Sequence, residues 1–332
     1  MTAYRQRRKV SGCRHICCCV LVVVAGATAD AIAAYPDRPI RFVVPQAPGS
    51  ASDTGARIVA AELSRQLGQQ LVIDNRPGGA LVIGMELVAR AAPDGYTIGF
   101  APIGALAISP HMVKSLPYDI GRDFSPIGQI SFGHMLLAVT PALPVSSVRE
   151  LIDYARQHPG KLLSASSGNG TPGHVCGELF KYMTATSIVH VPYKGGQQGI
   201  TDLIAGQVQM MFESLNSIAP YAKSGRVRGL AVSGARRTPA FPDLPTIAEA
   251  GVPGYEAVTW SGIVGPAGMP RAVVMKLNAE INKAMGAPAL KERYAAIGAE
   301  PIAGTPEQFA ELIRKDSAKW AEVIRRSGAK IE

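Results

Sequence analysis

The sequence predicts an α/β chain folded as two lobes, each a mainly parallel sheet flanked by helices, with loops converging on a cleft. Three observations carry that expectation. Strand, loop and helix recur in succession between residues 40 and 105, which calls for a parallel sheet with right-handed crossovers. The same unit reappears after residue 145, again as a short strand followed by a Gly/Ser loop. The 332 residues also exceed what one hydrophobic core comfortably holds.

The opening unit organises the rest. Pro39 to Val44 is a short β-branched run, Pro45 to Asp53 a Pro/Gly/Ser loop, and the next segment sets Ile58, Leu63 and Leu67 at helical spacing. Ser52 or Asp53 is expected to cap this helix. Its free N–H groups and positive dipole end then face the loop, where a carboxylate or phosphate is favoured. Gln70 to Asp74 is a second strand, Asn75 to Gly79 a turn, and a helix carrying Ile83, Leu87 and Val88 follows. Pro93-Asp-Gly95 turns the chain into a third strand, Tyr96 to Phe100, with Ala101 to Ala105 as the loop behind it. Ligands on such sheets sit at the carboxyl ends of the strands.

Phe124 to Gly133 and Met135 to Thr140 read as two strands, and Pro141 to Val145 as a crossing point into the second lobe. Ser146 or Ser147 caps a helix through Leu151, Ile152 and Tyr154 that Pro159-Gly160 stops. Leu162 to Ala165 is a strand, Ser166 to Thr171 a loop, and Pro172 a good first residue for the helix carrying Val175, Leu179, Phe180 and Met183. Strands follow at Ile188 to Val191, Val208 to Phe212 and Val227 to Val232, with a helix from Ile200 to Ile204 between the first two. The chain returns to the first lobe near Trp260 and ends in helices at Pro270 to Met285, Pro288 to Ile297 and Pro306 to Arg325. The last of these puts Phe309, Leu312, Ile313, Trp320 and Ile324 on one face. The expected boundaries are a leader over residues 1–33, lobe 1 over 34–138 plus 258–332, and lobe 2 over 139–257.

The leader reads as a cleaved secretory signal. Arg5, Arg7, Arg8, Lys9 and Arg14 precede an apolar run from Ile16 to Ala27, and Ala27-Thr-Ala29 or Ala31-Ile-Ala33 supplies a small-residue cleavage site. That run is too short for a membrane span. Val10-Ser-Gly-Cys13 precedes the apolar run instead of closing it, so lipidation is not expected. Cleavage after Ala33 removes five basic residues and one acidic residue, taking the formal charge from +9 to +5. It also removes four of the five cysteines and leaves Cys176, so no internal disulfide can form. The remaining basic residues are dispersed without interleaved aromatics, which argues against a nucleic-acid partner.

Catalytic and cofactor motifs fare poorly. Gly168-Asn-Gly-Thr-Pro-Gly173 is a literal G-x-G-x-x-G between strand and helix. Dinucleotide binding needs an acidic residue about 20 positions on, and that region reads Ser187-Ile-Val-His-Val-Pro-Tyr-Lys194. What survives is a Gly-rich, hydroxyl-bearing loop at a helix N-terminus, suited to a carboxylate. No G-x-S-x-G elbow is present, and His174-x-Cys176 lacks metal-ligand spacing, so neither a catalytic residue, a metal site nor a cofactor is expected. His174, in the first turn of its helix, stands equally for a ligand contact or plain surface. Glu213, at a strand end, can accept a ligand amine, hold water or cap a helix. The competing reading is a secreted NAD(P)-binding or hydrolytic enzyme using the Gly168–Gly173 loop.

Many ordered segments also resemble one family. They include Tyr35 to Pro45, Ala47-Pro-Gly49, Asp53, Asp74 to Gly78, Pro93 to Tyr96, Leu116 to Asp119, Asp123-Phe124, Pro159 to Lys161, Ala165 to Gly168, Gly170-Thr171, His174, Gly177 to Phe180, His190 to Gly195, Pro242 to Pro245 and Ala248 to Gly251. Together they resemble the Bug family of periplasmic solute receptors of tripartite tricarboxylate transporters. The resemblance implies a Venus-flytrap binding protein, monomeric, that closes around a small carboxylate and delivers it to a membrane permease. It implies ligand contacts from Ala47, Gly49 and Ser50 after the first strand and from Ser166, Ser167, Gly168, Gly170, Thr171 and His174 in the second lobe, with Tyr193 and Glu213 added. The crossing strands near 139 and 258 would be the hinge. The chain departs from the family at Gln46, where Phe is common, at Ser50 for Gly, and at Gly78-Gly-Ala-Leu81 for Gly-Ala-Gly-Gly. In Ala101 to Leu106, Pro102 and Ile103 stand where hydroxyl residues are frequent. Gln46, Pro102 and Ile103 are therefore counted among the ligand-binding positions. With fewer hydroxyls a second polar ligand group lacks partners, so the expected ligand is a monocarboxylate or an acid with an apolar or aromatic far end. The same fold would also serve a soluble partner of a signalling protein.

Overall fold

The computed structural model describes Met1, Thr2 and residues 35–327. The expected signal segment therefore lies almost wholly outside the described residues. Among the described residues, 38–327 form a single packed unit.

Its strands are β1 (Ile40–Val44), β2 (Leu71–Asn75), β3 (Thr97–Pro102), β4 (Phe124–Val139), β5 (Leu163–Ser166), β6 (Val189–Pro192), β7 (Met210–Ser214), β8 (Arg228–Val232), β9 (Val258–Pro266) and the short β10 (Glu300–Pro301). The spatial order is β2-β1-β3-β9-β4-β7-β5-β6, with β8 and β10 also on β4. β2, β1 and β3 run parallel, as do β6, β5 and β7. β9 is antiparallel to β3 and to β4, and β4 is antiparallel to β7 and β8, so the sheet is mixed.

The helices are α1 (Ala51–Leu67), α2 (Val82–Ala89), α3 (Val148–Gln157), α4 (Pro172–Thr184), α5 (Gly196–Ile204), α6 (Leu215–Lys223), α7 (Arg271–Gly286), α8 (Pro288–Ala296) and α9 (Pro306–Ser327). Short helical turns at Gly79–Leu81, Gly104–Ile108 and Ser109–Met112 complete the set. On α9, Phe309, Ile313, Trp320 and Ile324 are buried and Leu312 is half-buried, the face its periodicity predicts.

Three local expectations are corrected. Residues 124–139 form one strand, not two: pairing to β9 runs from Phe124 to His134, and pairing to β7 takes over from Met135. The change of sheet thus falls at His134/Met135, a few residues before the expected crossing. Ala101 to Leu106 is not an open loop, because β3 extends through Pro102 and a buried π-helical turn begins at Gly104. On α2, Val88 is buried and Leu87 packs half-buried against the core as expected, but Ile83 is 52% exposed and Val82 and Met85 face the core instead.

The turn before α2 has unusual backbone. Gly78, Gly79, Ala80 and Leu81 all have positive φ, at 118°, 54°, 54° and 78°. Glycine adopts such angles freely, whereas Ala80 and Leu81 do so at a cost of about 1–2 kcal/mol each.

Candidate functional site

The carboxyl end of β1 leads to α1. Its N-cap is Ser50, whose Oγ accepts the Asp53 N–H at 3.2 Å, while Asp53 Oδ2 accepts the Gly49 N–H at 2.8 Å. This pair is a variant of the capping box, with the Asp53 carboxylate taking the N–H before the cap instead of the cap's own, and it corrects the expectation that Ser52 or Asp53 is the cap. Burial pushes the Asp53 carboxyl up, but hydrogen bonds from Arg57, Gly49 and Asn75 outweigh it and hold the group below its ordinary range. With its cap one turn earlier, α1 presents Ala51 and Ser52 to the space beyond.

That space is a cavity of about 420 Å³ between the two halves of the sheet. The N-terminus of α4 borders the same cavity, with Thr171 as N-cap and Pro172 in the first turn. Two helix N-termini therefore border one cavity. Each offers free N–H groups and a positive dipole end. The flanks are Phe100, Pro102, Ile103 and Gly104 from the end of β3, Ala80 and Leu81 from the strained turn, and Ser131, Phe132, Thr259, Trp260 and Ser261 from β4 and β9. Tyr294, Ile297, Gly298 and Ala299 close the far side. Ser131 and Ser261 hydrogen-bond across the strands at 2.7 Å, and Trp260 Nε1 donates to Asp316 at 2.5 Å.

Of the residues expected to bind ligand, Gln46, Pro102, Ile103, Ser167, Gly170, Thr171 and Glu213 line this cavity, as does Ser52. The others shape its walls from behind. Ala47 accepts the Ser50 N–H through its carbonyl, and Gly49 and Ser50 belong to the capping box. Ser166 Oγ donates to Gly168 O and accepts the Gly168 N–H, and Gly168 O also accepts the Thr171 hydroxyl. Tyr193 donates to Asp202 at 2.7 Å, away from the cavity.

His174 is 6% exposed and stacks on His190 behind the loop, with its Nδ1 accepting the Gly170 N–H at 3.1 Å. The surface reading is corrected, because the ring is buried behind the loop; it is not among the residues that line the cavity. Burial, the His190 ring and Lys181 hold its imidazole down at about 3. Burial and Lys181 take His190 down to about 4.

The G-x-G-x-x-G pattern also acquires a structural meaning. A side chain at Gly173 would meet the Phe212 carbonyl at 2.4 Å, so this glycine permits α4 to lie on β7. Gly168 and Gly170 have φ of 133° and 74° and make the turn. Cys176 is buried and its thiol is pushed up to about 12, chiefly by burial, which leaves no nucleophilic thiolate. Among the described residues no group of three or more His, Cys, Asp or Glu is placed to hold a metal ion. No helix there is long and apolar enough to cross a membrane.

Sequence reasoning missed the contributions of β4, β9 and the Ile297–Ala299 segment. Their residues read as ordinary strand and helix-end positions, and only the crossing of the two strands beneath the cavity makes Ser131, Trp260 and Ser261 part of it.

An α/β scaffold in which two helix N-termini border one cavity is the arrangement of a solute-binding protein. Comparison with known proteins narrows the class: residues 55–329 match the model of the tripartite tricarboxylate transporter family receptor, and the chain belongs to that family. BugT of Bordetella pertussis is 34% identical over 315 residues, covering 94% of this chain and 97% of BugT. A Rhodopseudomonas palustris protein solved with adipate is 39% identical, with a TM-score of 0.78 over 90% of this chain and 100% of that one. The periplasmic binding protein BugD is 32% identical, with a TM-score of 0.75 over 90% of this chain and 100% of its own.

Proposed function

We propose that this chain is a periplasmic receptor, exported by a cleaved leader, that captures a small carboxylate and delivers it to the permease of a tripartite tricarboxylate transporter. The observation that carries the reading is the pair of helix N-termini, at Ala51–Ser52 and Thr171–Gly173, that border one cavity. Backbone N–H groups and aligned peptide dipoles stabilise a carboxylate without a basic side chain. Family membership and a relative solved with adipate support the ligand class.

In this reading residues 34–138 plus 258–332 and residues 139–257 are two lobes of a monomer that close on the ligand, bending where β4 passes from one half of the sheet to the other. The ligand is released unchanged, without turnover. Phe100, Leu81, Ile103 and Ile297 make much of the lining apolar, which favours an acid with an apolar or aromatic far end.

Native mass spectrometry of the protein purified from periplasm, followed by identification of whatever is released on denaturation, tests the reading. A retained carboxylic acid supports it. If a thermal-shift screen then finds that only densely charged polyacids stabilise the protein, the apolar far end is wrong. Chemical conversion of the bound acid would sink the receptor reading itself.

A further inference from the structure

Glu213 is the one acidic side chain among the described residues that line the cavity, and no Lys, Arg or His stands among them. It is 5% exposed. Its Oε2 accepts the Ser167 hydroxyl at 2.8 Å and its Oε1 accepts the Ser214 N–H at 2.8 Å. An ionised carboxylate has about four acceptor positions, so these two bonds leave acceptor capacity on a side chain that belongs to the cavity lining. On the other side Glu213 packs on the start of α5, where a side chain at Gly196 would meet Oε2 at 2.5 Å. That helix N-terminus and the two donors favour the charge, while burial works against it and raises the group above its ordinary value.

A buried carboxylate is an odd neighbour for an anionic ligand. Once the cavity closes and water leaves, a plain alkanoate would sit near a like charge and leave that charge short of donors. An acid that carries a donor of its own removes both problems. Building on the receptor reading, we propose that Glu213 is a second recognition point, accepting an ammonium or hydroxyl group of the same acid whose carboxylate the helix N-termini hold. The substrate class is thus amino- or hydroxy-substituted carboxylic acids, and their unsubstituted parents are discriminated against.

The test is calorimetric titration of the full exported chain and of its Glu213→Gln variant. The probes are butyrate, 2-aminobutyrate, 4-aminobutyrate, 4-hydroxybutyrate, 3-phenylpropionate and phenylalanine. Wild type is expected to bind at least one substituted acid about tenfold or more tighter than its parent, as for a site built around a polar partner. In Glu213→Gln that preference collapses and the parents gain affinity. Glu213→Asp, which keeps the charge, retains the order of preference and guards against a folding artefact. Parents bound as well as substituted acids by wild type overturn the proposal and leave the receptor reading standing. So does a preference that survives in Glu213→Gln, which would make Glu213 only a brace for Ser167, or a uniform gain for every acid, which would mean simple repulsion. Failure of every acid to bind either protein overturns the proposal, while the receptor reading is judged separately by the acid retained on purification from periplasm.

Discussion

His174 and His190 lie face to face, ring centroids 3.9 Å apart and planes inclined by 12°, directly behind the loop that borders the cavity. His174 Nδ1 holds the Gly170 N–H, and His190 Nε2 lies 2.6 Å from Ser166 Oγ. Two neutral imidazoles thus set the shape of a loop that presents backbone to the ligand. The charged groups facing them are Glu178, 3.7 Å from His174 Nε2, and Lys181, which is paired with Glu178.

Stability is expected to fall on acidification. Both imidazoles are depressed in the folded state, to about 3 and about 4, against an ordinary value of 6.5. Their contribution is complete above pH 6.5 and is lost as the pH falls toward those values, because the unfolded chain takes up protons first. The slope is up to about 1.4 kcal/mol per pH unit for each ring, and less for the partly exposed His190. Urea unfolding at pH 7 and pH 5 measures it. A variant combining His174→Asn and His190→Gln, which keeps an acceptor or donor near each ring nitrogen, should show a shallower slope. An unchanged slope would clear the histidines.

The capping box makes a second, local prediction. Ser50→Ala removes the acceptor for the Asp53 N–H and should cost about 1 kcal/mol of unfolding free energy. Asp53→Ala should cost about 3 kcal/mol, since it strands Gly49 N–H, Asn75 and Arg57 at once. Equal losses from the two substitutions would mean that Asp53 acts only through the cap.

Leu81 and Gly104 should be coupled. A side chain at Gly104 would meet Leu81 Cδ1 at 3.0 Å. Gly104→Ala alone is therefore expected to push Leu81 into the cavity and weaken binding. Leu81→Gly relieves about 1 kcal/mol of left-handed strain, an amount offset in part by lost packing and greater freedom of the unfolded chain. In the Leu81→Gly background the alanine at 104 should be harmless. A double-mutant cycle on ligand affinity checks this, and strict additivity would refute the contact.

Trp260 provides an optical report. The chain has two tryptophans; Trp260 lines the cavity, whereas Trp320 is buried in α9. Ligand binding is expected to change the fluorescence of wild type and to leave Trp260→Phe silent, with Trp320 emission constant. A ligand response persisting in Trp260→Phe would place the binding event elsewhere.

Much of the scaffold could be read from residue patterns because each signal is local. The β-branched run of β1, Pro172 at the start of α4 and the apolar stripe of α9 depend on neighbours within a few positions. The cavity was legible where it is built from the loops and strand ends that precede helices, as at Gln46, Pro102, Ser167, Thr171 and Glu213. The cap of α1 was misplaced because Ser50, Ser52 and Asp53 are all competent caps, and the choice among them is fixed by where the Asp53 side chain finds Gly49 and Asn75. The burial of His174 was not legible because its partner, His190, lies on β6 and meets it only where α4 packs on that strand. Trp260 and Ser261 carry no local mark at all.

The last pair in the β4–β9 ladder is His134 with Val258. Those two residues are opposite positions of an antiparallel ribbon, close enough for a two-residue turn to join. In the grammar of the chain, residues 135–257 are thus an insertion at the tip of a hairpin, and the sheet order β2-β1-β3-β9-β4 would be uninterrupted without it. What the insertion adds is part of the cavity lining: Ser167, Thr171 and Glu213 all lie inside it. The enclosure is thus built from two stretches of sheet that a single strand pair, β4 with β9, ties together at one tip.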